Sequence, residues 1–186
     1  MKFPWLALLA LALALAGQAD AKTAVAALET RVVLPDLELL DQSGRSGRLL
    51  GDFIGDRIAV ADFVYGSCTT VCPLLSGVMA RLQRDLGQDL GEKVVLLSLS
   101  VTPGRDTPAQ LARIAVAFKP RPGWFWLTGE PARMQPVLQA FGAAVAAPER
   151  HAPMILVGRG GDPRWLRRLG LPSPAELRSM IARFAR

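Results

Sequence analysis

Ile58-Ala59-Val60-Ala61-Asp62-Phe63-Val64-Tyr65-Gly66-Ser67-Cys68-Thr69-Thr70-Val71-Cys72-Pro73 is the stretch whose reading decides the fold. Its first eight residues form a mostly apolar run of strand length, the pattern of a central strand buried on both faces. Asp62 interrupts the run, and a buried carboxylate there requires a partner that the sequence does not name. Beyond Pro73, Leu74, Leu75, Val78, Leu82 and Leu86 recur at helical spacing until Gly87 ends the pattern. Pro73 suits a first helical turn, where its missing N–H is not needed. Cys68 and Cys72, the only cysteines of the chain, therefore stand where a buried strand gives way to a helix N-terminus.

The flanking sequence repeats this alternation. Leu34-Pro35-Asp36 opens a strand over 37–40, and the turn signals Ser43-Gly44 and Ser46-Gly47 bring Arg48-Leu49-Leu50 back as a hairpin. Residues 94–101 read as a second buried strand. Thr107-Pro108 reads as an N-cap followed by proline at the first helical position, with the helix running to about Phe118. A short strand over 124–127, a helix over 131–141, a strand over 154–157, a turn over 158–162, a last strand over 165–169 and a helix over 173–184 complete the chain. Strands alternating with helices imply an α/β protein, its sheet covered by helices.

The 186 residues suffice for one domain plus a targeting segment. Lys2, the unbroken Leu/Ala run over 6–16 and the small-x-small triplet Ala19-Asp20-Ala21 compose a signal peptide over residues 1–21, cut after Ala21. The apolar run is shorter than the roughly 20 residues a membrane span needs, so an uncleaved anchor is the lesser alternative. No cysteine follows the run, which argues against a lipoprotein anchor. Residues 22–33 read as a mobile mature N-terminus, and 34–186 as the folded domain. Net charge is +6 and is unchanged by loss of Lys2 and Asp20. Export argues against nucleic acid as the partner of this charge and leaves a solvated surface, an anionic membrane surface or an acidic partner.

An oxidising compartment drives a nearby cysteine pair toward a disulfide. A bridge across only three residues stabilises little, because little unfolded-state entropy is removed, so redox or metal chemistry is its expected use. A helix N-terminus favours thiolate over thiol, and positions i and i+4 lie one turn apart. The spacing permits either a reversible disulfide or a chelate. Thiolates are soft ligands that prefer Cu(I), and imidazole suits copper and zinc. His151 is the only histidine, so a Cys/His metal site must be built from Cys68, Cys72 and His151. Zinc would want a fourth ligand that no further Cys or His supplies, a place open to a carboxylate or water. The alternative is a thiol-disulfide oxidoreductase, with Cys68 or Cys72 as attacking thiolate and His151 tuning it.

Residues 63–73 resemble the Cys-x-x-x-Cys-Pro signature of the Sco/SenC copper chaperones. The stretch from Ser98 to Pro108, then Trp126-Leu127-Thr128-Gly129, then His151 to Val157, are similar to that family's later blocks, in order. The resemblance covers about residues 34–184. It implies a thioredoxin-like fold: a central mixed β-sheet flanked by helices, with an N-terminal β-hairpin extension. It implies copper, as Cu(I) or Cu(II), held by Cys68, Cys72 and His151, and delivery to the binuclear copper centre of cytochrome c oxidase. Implied partners are the copper-bearing oxidase subunit, a thioredoxin-like reductant and a copper donor protein, in the periplasm. In a thioredoxin-like fold the segment before the strand at Met154 faces the cysteines, and its proline is commonly cis, so Ala152–Pro153 is expected cis. Thr102 stands where the family usually has Asp, and Val157-Gly158 where it usually reads Val-Asp. Met79, Met134 and Met154 are expected to pack in the core, Trp124 and Trp126 to pack or line a docking surface, Asp106 to help a helix start, and the arginines over 159–168 to form a solvated loop.

Overall fold

The computed structural model describes residues 27–150 and 152–185; residues 1–26, with the expected signal peptide among them, His151 and Arg186 lie outside the described residues. In chain order the elements are β1 (Leu28–Arg31), β2 (Glu38–Leu40), β3 (Ser46–Arg48), a π-helical turn (Leu49–Ile54), β4 (Ile58–Val64), α1 (Val71–Leu86), β5 (Val94–Ser100), α2 (Pro108–Ala115), β6 (Trp124–Leu127), α3 (Pro131–Ala140), β7 (Met154–Arg159), β8 (Arg164–Leu169) and α4 (Pro174–Ala182). Three short 3-10 turns join them. Among the described residues no helix is long and apolar enough to cross a membrane.

Strand β4 is buried at every position, as an apolar run of strand length requires at the centre of a covered sheet. It pairs in parallel with β5, Ile58 opposite Val94 and Val64 opposite Ser100, and β5 pairs in parallel with β6. On its other side β4 meets β7 antiparallel, Ile58 opposite Arg159 and Asp62 opposite Ile155. The six-stranded mixed sheet runs β1-β8-β7-β4-β5-β6, and β2-β3 form a separate hairpin.

The two faces of the sheet build two cores, because successive side chains of a strand alternate. Ala59, Ala61, Phe63, Leu97 and Leu99 pack under α3 and the hairpin, against Met134, Val137, Leu138, Leu39 and Phe53. Ile58, Val60, Val64, Leu96 and the buried Trp124 and Trp126 pack under α1, α2 and α4, against Leu75, Met79, Leu82, Leu111 and Leu177. Helices α2 and α4 both begin with capping boxes, Thr107 with Gln110 and Ser173 with Glu176, each followed by proline. The exposed edge of β6 is closed by side chain and hairpin together. The Gln42 amide accepts from the Trp126 N–H at 2.8 Å and donates to the Trp124 carbonyl at 3.4 Å, and Leu40 bridges Thr128. Covering an edge in this way removes a template for unwanted strand pairing.

Four local expectations differ from the structure. Leu28–Arg31, inside the stretch expected to be mobile, forms β1 against β8. Its Leu-Glu-Thr-Arg sequence carries no alternating apolar signal, since backbone pairing rather than a buried face holds it. Leu49 and Leu50 do not extend the hairpin but enter the π-helical turn, which buries Leu49, Phe53 and Ile54. On α1 the buried stripe is Cys72, Leu75, Met79 and Leu82, whereas Leu74 is 58% exposed. The arginines over 159–168 lie mostly in β7 and β8; Arg167 donates to the Phe141 carbonyl and Arg168 pairs with Glu176. Met79, Met134 and Met154 are buried, as core packing requires.

The departure at Gly158 has a steric cause. A Cβ built on Gly158 would lie 2.3 Å from the Trp165 indole, on the neighbouring strand directly opposite it. Trp165 is fully buried, edge-on to Phe141, and cannot swing away. Restoring the usual residue by Gly158→Asp is expected to destabilise the fold by about 3 kcal/mol, the upper range of overpacking, read as a lowered urea midpoint at unchanged slope. An unchanged midpoint would mean that Trp165 does not occupy this space.

Candidate metal centre

The segment leaving β4 turns at Tyr65, whose carbonyl accepts from the Cys68 N–H at 3.1 Å, and enters α1 at Val71. Cys68 and Cys72 are joined as a disulfide, their Cα atoms 5.9 Å apart. The Cys72 N–H points at the Cys68 sulfur at 3.2 Å. Thr70 at the N-cap position makes no side-chain capping bond, so the sulfur takes the first-turn donor that a capping oxygen would otherwise accept. Pro73 withdraws another of the unpaired donors. The two sulfurs are unequal in access: Cys68 is half-buried, while Cys72 is 8% exposed and belongs to the core under α1.

Two carboxylates back this junction. The first, Asp106, was expected only to help α2 begin, but Thr107 is the cap and Asp106 has a different task. Its Oδ1 accepts from the Gly66 N–H at 3.0 Å, and its Oδ2 from the Ser100 and Thr102 hydroxyls at 2.6 and 2.7 Å. Its main-chain carbonyl accepts from Thr128 Oγ1 at 2.7 Å. Thr102 thus supplies a donor where a second carboxylate would oppose the first. Gly66 must lack a side chain, because a Cβ there would lie 2.6 Å from Asp106 Oδ1. The sequence signal for this clamp is the Asp106-Thr107-Pro108 run, which reads locally as a helix start and conceals a contact forty residues away.

The second, Asp62, is fully buried on the face of β4 that packs under α1. Its partner is Ser98, which stands opposite it on β5: the Ser98 hydroxyl donates to Asp62 Oδ1 at 2.6 Å and accepts from Trp124 Nε1 at 3.0 Å. Asp62 Oδ2 has no hydrogen-bond partner among the described residues. Burial pushes this carboxyl up to about 7, against the smaller opposing effect of the Ser98 hydrogen bond.

The third expected ligand, His151, lies outside the described residues. The Ala152–Pro153 bond, expected cis, is trans, since no cis peptide occurs among the described residues. The Pro153 carbonyl accepts from the Gly170 N–H at 2.7 Å, just where β7 and β8 begin to pair. Strand β7 starts beside the end of β4: Asp62 faces Ile155, and Met154 precedes it. The chain therefore enters β7 at the same edge of the sheet from which β4 leaves for the cysteines. Among the described residues no group of three or more Cys, His, Asp or Glu side chains is gathered as a metal site.

The family model SCO1/SenC matches residues 26–157. The chain belongs to the SCO1/SenC family. It is 30% identical over 112 residues to the SCO1 protein homolog of Bacillus subtilis, covering 59% of this chain and 56% of that one. It spans just over half the length of the curated relatives it matches. Among solved structures, a SCO1/SenC family lipoprotein of Bacillus anthracis superposes with a TM-score of 0.71 at 22% identity, over 85% of this chain and 98% of that one. ScoI of Bradyrhizobium japonicum, solved with copper bound, superposes with a TM-score of 0.65 at 23% identity, over 82% and 99%. The fold is the thioredoxin-like fold of these Sco structures, as the sequence resemblance implied.

The raised Asp62 carboxyl sets a pH dependence. In the unfolded chain an aspartate releases its proton near pH 3.9, whereas in the fold Asp62 keeps it to about 7. Between those values the folded state binds the extra proton, so this group's contribution is full below about pH 4 and falls as pH rises, by up to about 1.4 kcal/mol per pH unit. Asp62→Asn removes the effect. Urea midpoints at pH 5 and pH 8 are expected to show the wild type losing stability relative to Asp62→Asn at the higher pH; a parallel pair of curves would contradict the buried, singly bonded carboxyl.

Proposed function

We propose that this Sco protein is a copper metallochaperone that carries copper as cargo on Cys68, Cys72 and His151 and serves assembly of the binuclear copper centre of cytochrome c oxidase. The observation that carries the reading is the pair of sulfurs held together at the N-terminus of α1. Two-electron reduction of their disulfide frees two soft thiolates within one helical turn, a donor pair suited to Cu(I). What supports His151 as the third ligand is its place in the sequence, just before a strand that starts alongside the end of β4. Two thiolates and one neutral imidazole leave a Cu(I) site with a net charge of minus one. Copper-bound Sco structures exist for relatives with the same fold. A copper-bearing oxidase subunit is the proposed acceptor, with a copper donor protein upstream and a thioredoxin-like reductant to keep the pair reduced. Residues 1–21 are proposed to direct the chain to the periplasm, and the net charge of +6 to favour association with an anionic membrane surface.

The disulfide favours a second reading, a thiol-disulfide oxidoreductase acting on exported cysteines. Exchange would begin at the more accessible Cys68, with the buried Cys72 as leaving thiolate.

Copper titration of the fully reduced protein, followed by absorption and EPR spectroscopy, separates the two. One tightly bound equivalent with thiolate-to-Cu(II) charge-transfer bands is expected. His151→Ala is expected to lower copper affinity by more than the roughly 10- to 100-fold that loss of an outer-shell partner costs, while leaving disulfide formation intact. Oxidation of the pair with copper left free in solution would instead establish the oxidoreductase.

A further inference from the structure

A cleft of about 380 Å³ opens beside the cysteine loop, lined by Gly66 and Ser67 on one side and by Arg105, Gln110, Arg113 and Ile114 on the other, with Asp106 and Thr102 at its base. Gln110, Arg113 and Ile114 share one face of α2, as residues three and four apart do. Asp106 is 4% exposed, and both of its carboxylate oxygens are occupied by the Gly66, Ser100 and Thr102 donors. The two guanidinium groups outnumber this one carboxylate in the lining. Arg105 and Arg113 are exposed, and neither guanidinium has an ion-pair or hydrogen-bond partner among the described residues, whereas those of Arg45, Arg48, Arg133 and Arg168 are each paired with a carboxylate. Two like charges facing one concavity repel, and an anion placed between them relieves both. Ser67, on the rim, is the residue directly before Cys68.

We propose that this cleft binds the carboxylate of the thiol that reduces the Cys68–Cys72 disulfide, making carboxylate-bearing thiols the preferred reductants of this protein. The inference rests on the pair being exchangeable, as the proposed function requires. A thiolate whose carboxylate is held by Arg105 and Arg113 attacks Cys68 Sγ, the more accessible sulfur. The Cys68–Cys72 bond breaks, and Cys72 leaves with its electron pair and takes a proton from solvent. A second thiolate then attacks the substrate sulfur of the mixed disulfide and releases Cys68 as thiolate. Two thiols are oxidised to one disulfide and the protein gains two reduced cysteines. The carboxylate can belong to a small thiol or to an acidic side chain beside a cysteine of a protein reductant.

Reduction rates of the oxidised protein, followed by alkylation and mass at low ionic strength, test this. The probes are glutathione against 2-mercaptoethanol for the small-thiol source, and blocked cysteine peptides flanked by Glu against the same peptides flanked by Gln for the protein source, all compared at equal thiolate concentration. In at least one pair the anionic member is expected to react faster, and the pair that shows it names the source. That anionic-to-neutral ratio is expected to fall about five-fold in Arg105→Ala/Arg113→Ala, to survive in Arg105→Lys/Arg113→Lys, and to be unmoved by Arg81→Ala/Arg84→Ala, which removes equal charge from the far half of α1. No anionic preference in either pair, or an equal fall in the Arg81/Arg84 variant, overturns the cleft and indicates bulk charge only. Copper titration of the same proteins reports separately on the chaperone reading, so failure of one does not imply failure of the other.

Discussion

The carboxylate of Asp106 ties together the loops that leave the three parallel strands. It accepts from the Gly66 N–H after β4 and from the Ser100 and Thr102 hydroxyls at the end of β5, while its main-chain carbonyl holds Thr128 after β6. In open α/β sheets the crevice beyond the carboxyl ends of parallel strands is where ligands bind, and here one buried side chain sets the shape of that crevice. Hydrogen bonds to a charged acceptor contribute about 1.5–3 kcal/mol each, and removing the acceptor would strand the buried Ser100 hydroxyl and free the part-buried Gly66 N–H and Thr102 hydroxyl. The cysteine loop therefore takes its position from a residue in a different loop as well as from its own Tyr65–Cys68 turn. The same contact explains why Gly66 precedes the motif and why Thr102, a donor, is compatible with this centre.

With the loop fixed, α1 makes the two sulfurs unequal. Cys68 sits at the mouth and accepts the Cys72 N–H, while Cys72 sinks into the core with Leu75 and Met79. On the same face of the sheet, Asp62 is held by a single hydrogen bond from Ser98, itself fixed by the Trp124 indole. A carboxyl with one unpartnered oxygen in an apolar layer is costly to ionise. It stays neutral between about pH 4 and about 7, where an exposed aspartate is already charged, and below that upper limit it adds little negative charge to the face of the sheet under α1.

Much of this was legible in the chain. The apolar run of β4 ending in the cysteines, the proline behind them and the Thr107-Pro108 helix start are local signals, and local signals survive folding. What was not legible depends on partners remote in sequence. Strand β1 exists because β8 offers a free edge, not because Leu-Glu-Thr-Arg favours a strand. Leu74 fits the helical period as well as Leu75 does, but the angle at which α1 meets the sheet exposes it. Asp106 resembles any acid before a helix until Gly66 is seen against it. The rule that proline before β7 is commonly cis failed, because backbone isomer is set by the particular loop.

The two chemistries read from this centre exclude each other at any instant, since the electrons that form the Cys68–Cys72 bond are those a metal would need. On the proposed reading, copper loading is conditional on reduction, and that reduction is delivered by an incoming thiol. The accessible sulfur belongs to the residue that follows Ser67, and Ser67 lines the cleft that carries Arg105 and Arg113. The buried sulfur is the one fixed by the core and is the natural leaving group. An attacking thiol so oriented opens the bridge from its exposed end and leaves Cys72 in place at the first turn of α1. On the proposed copper reading, the reduced pair at the start of α1 is then the donor pair offered to a soft cation.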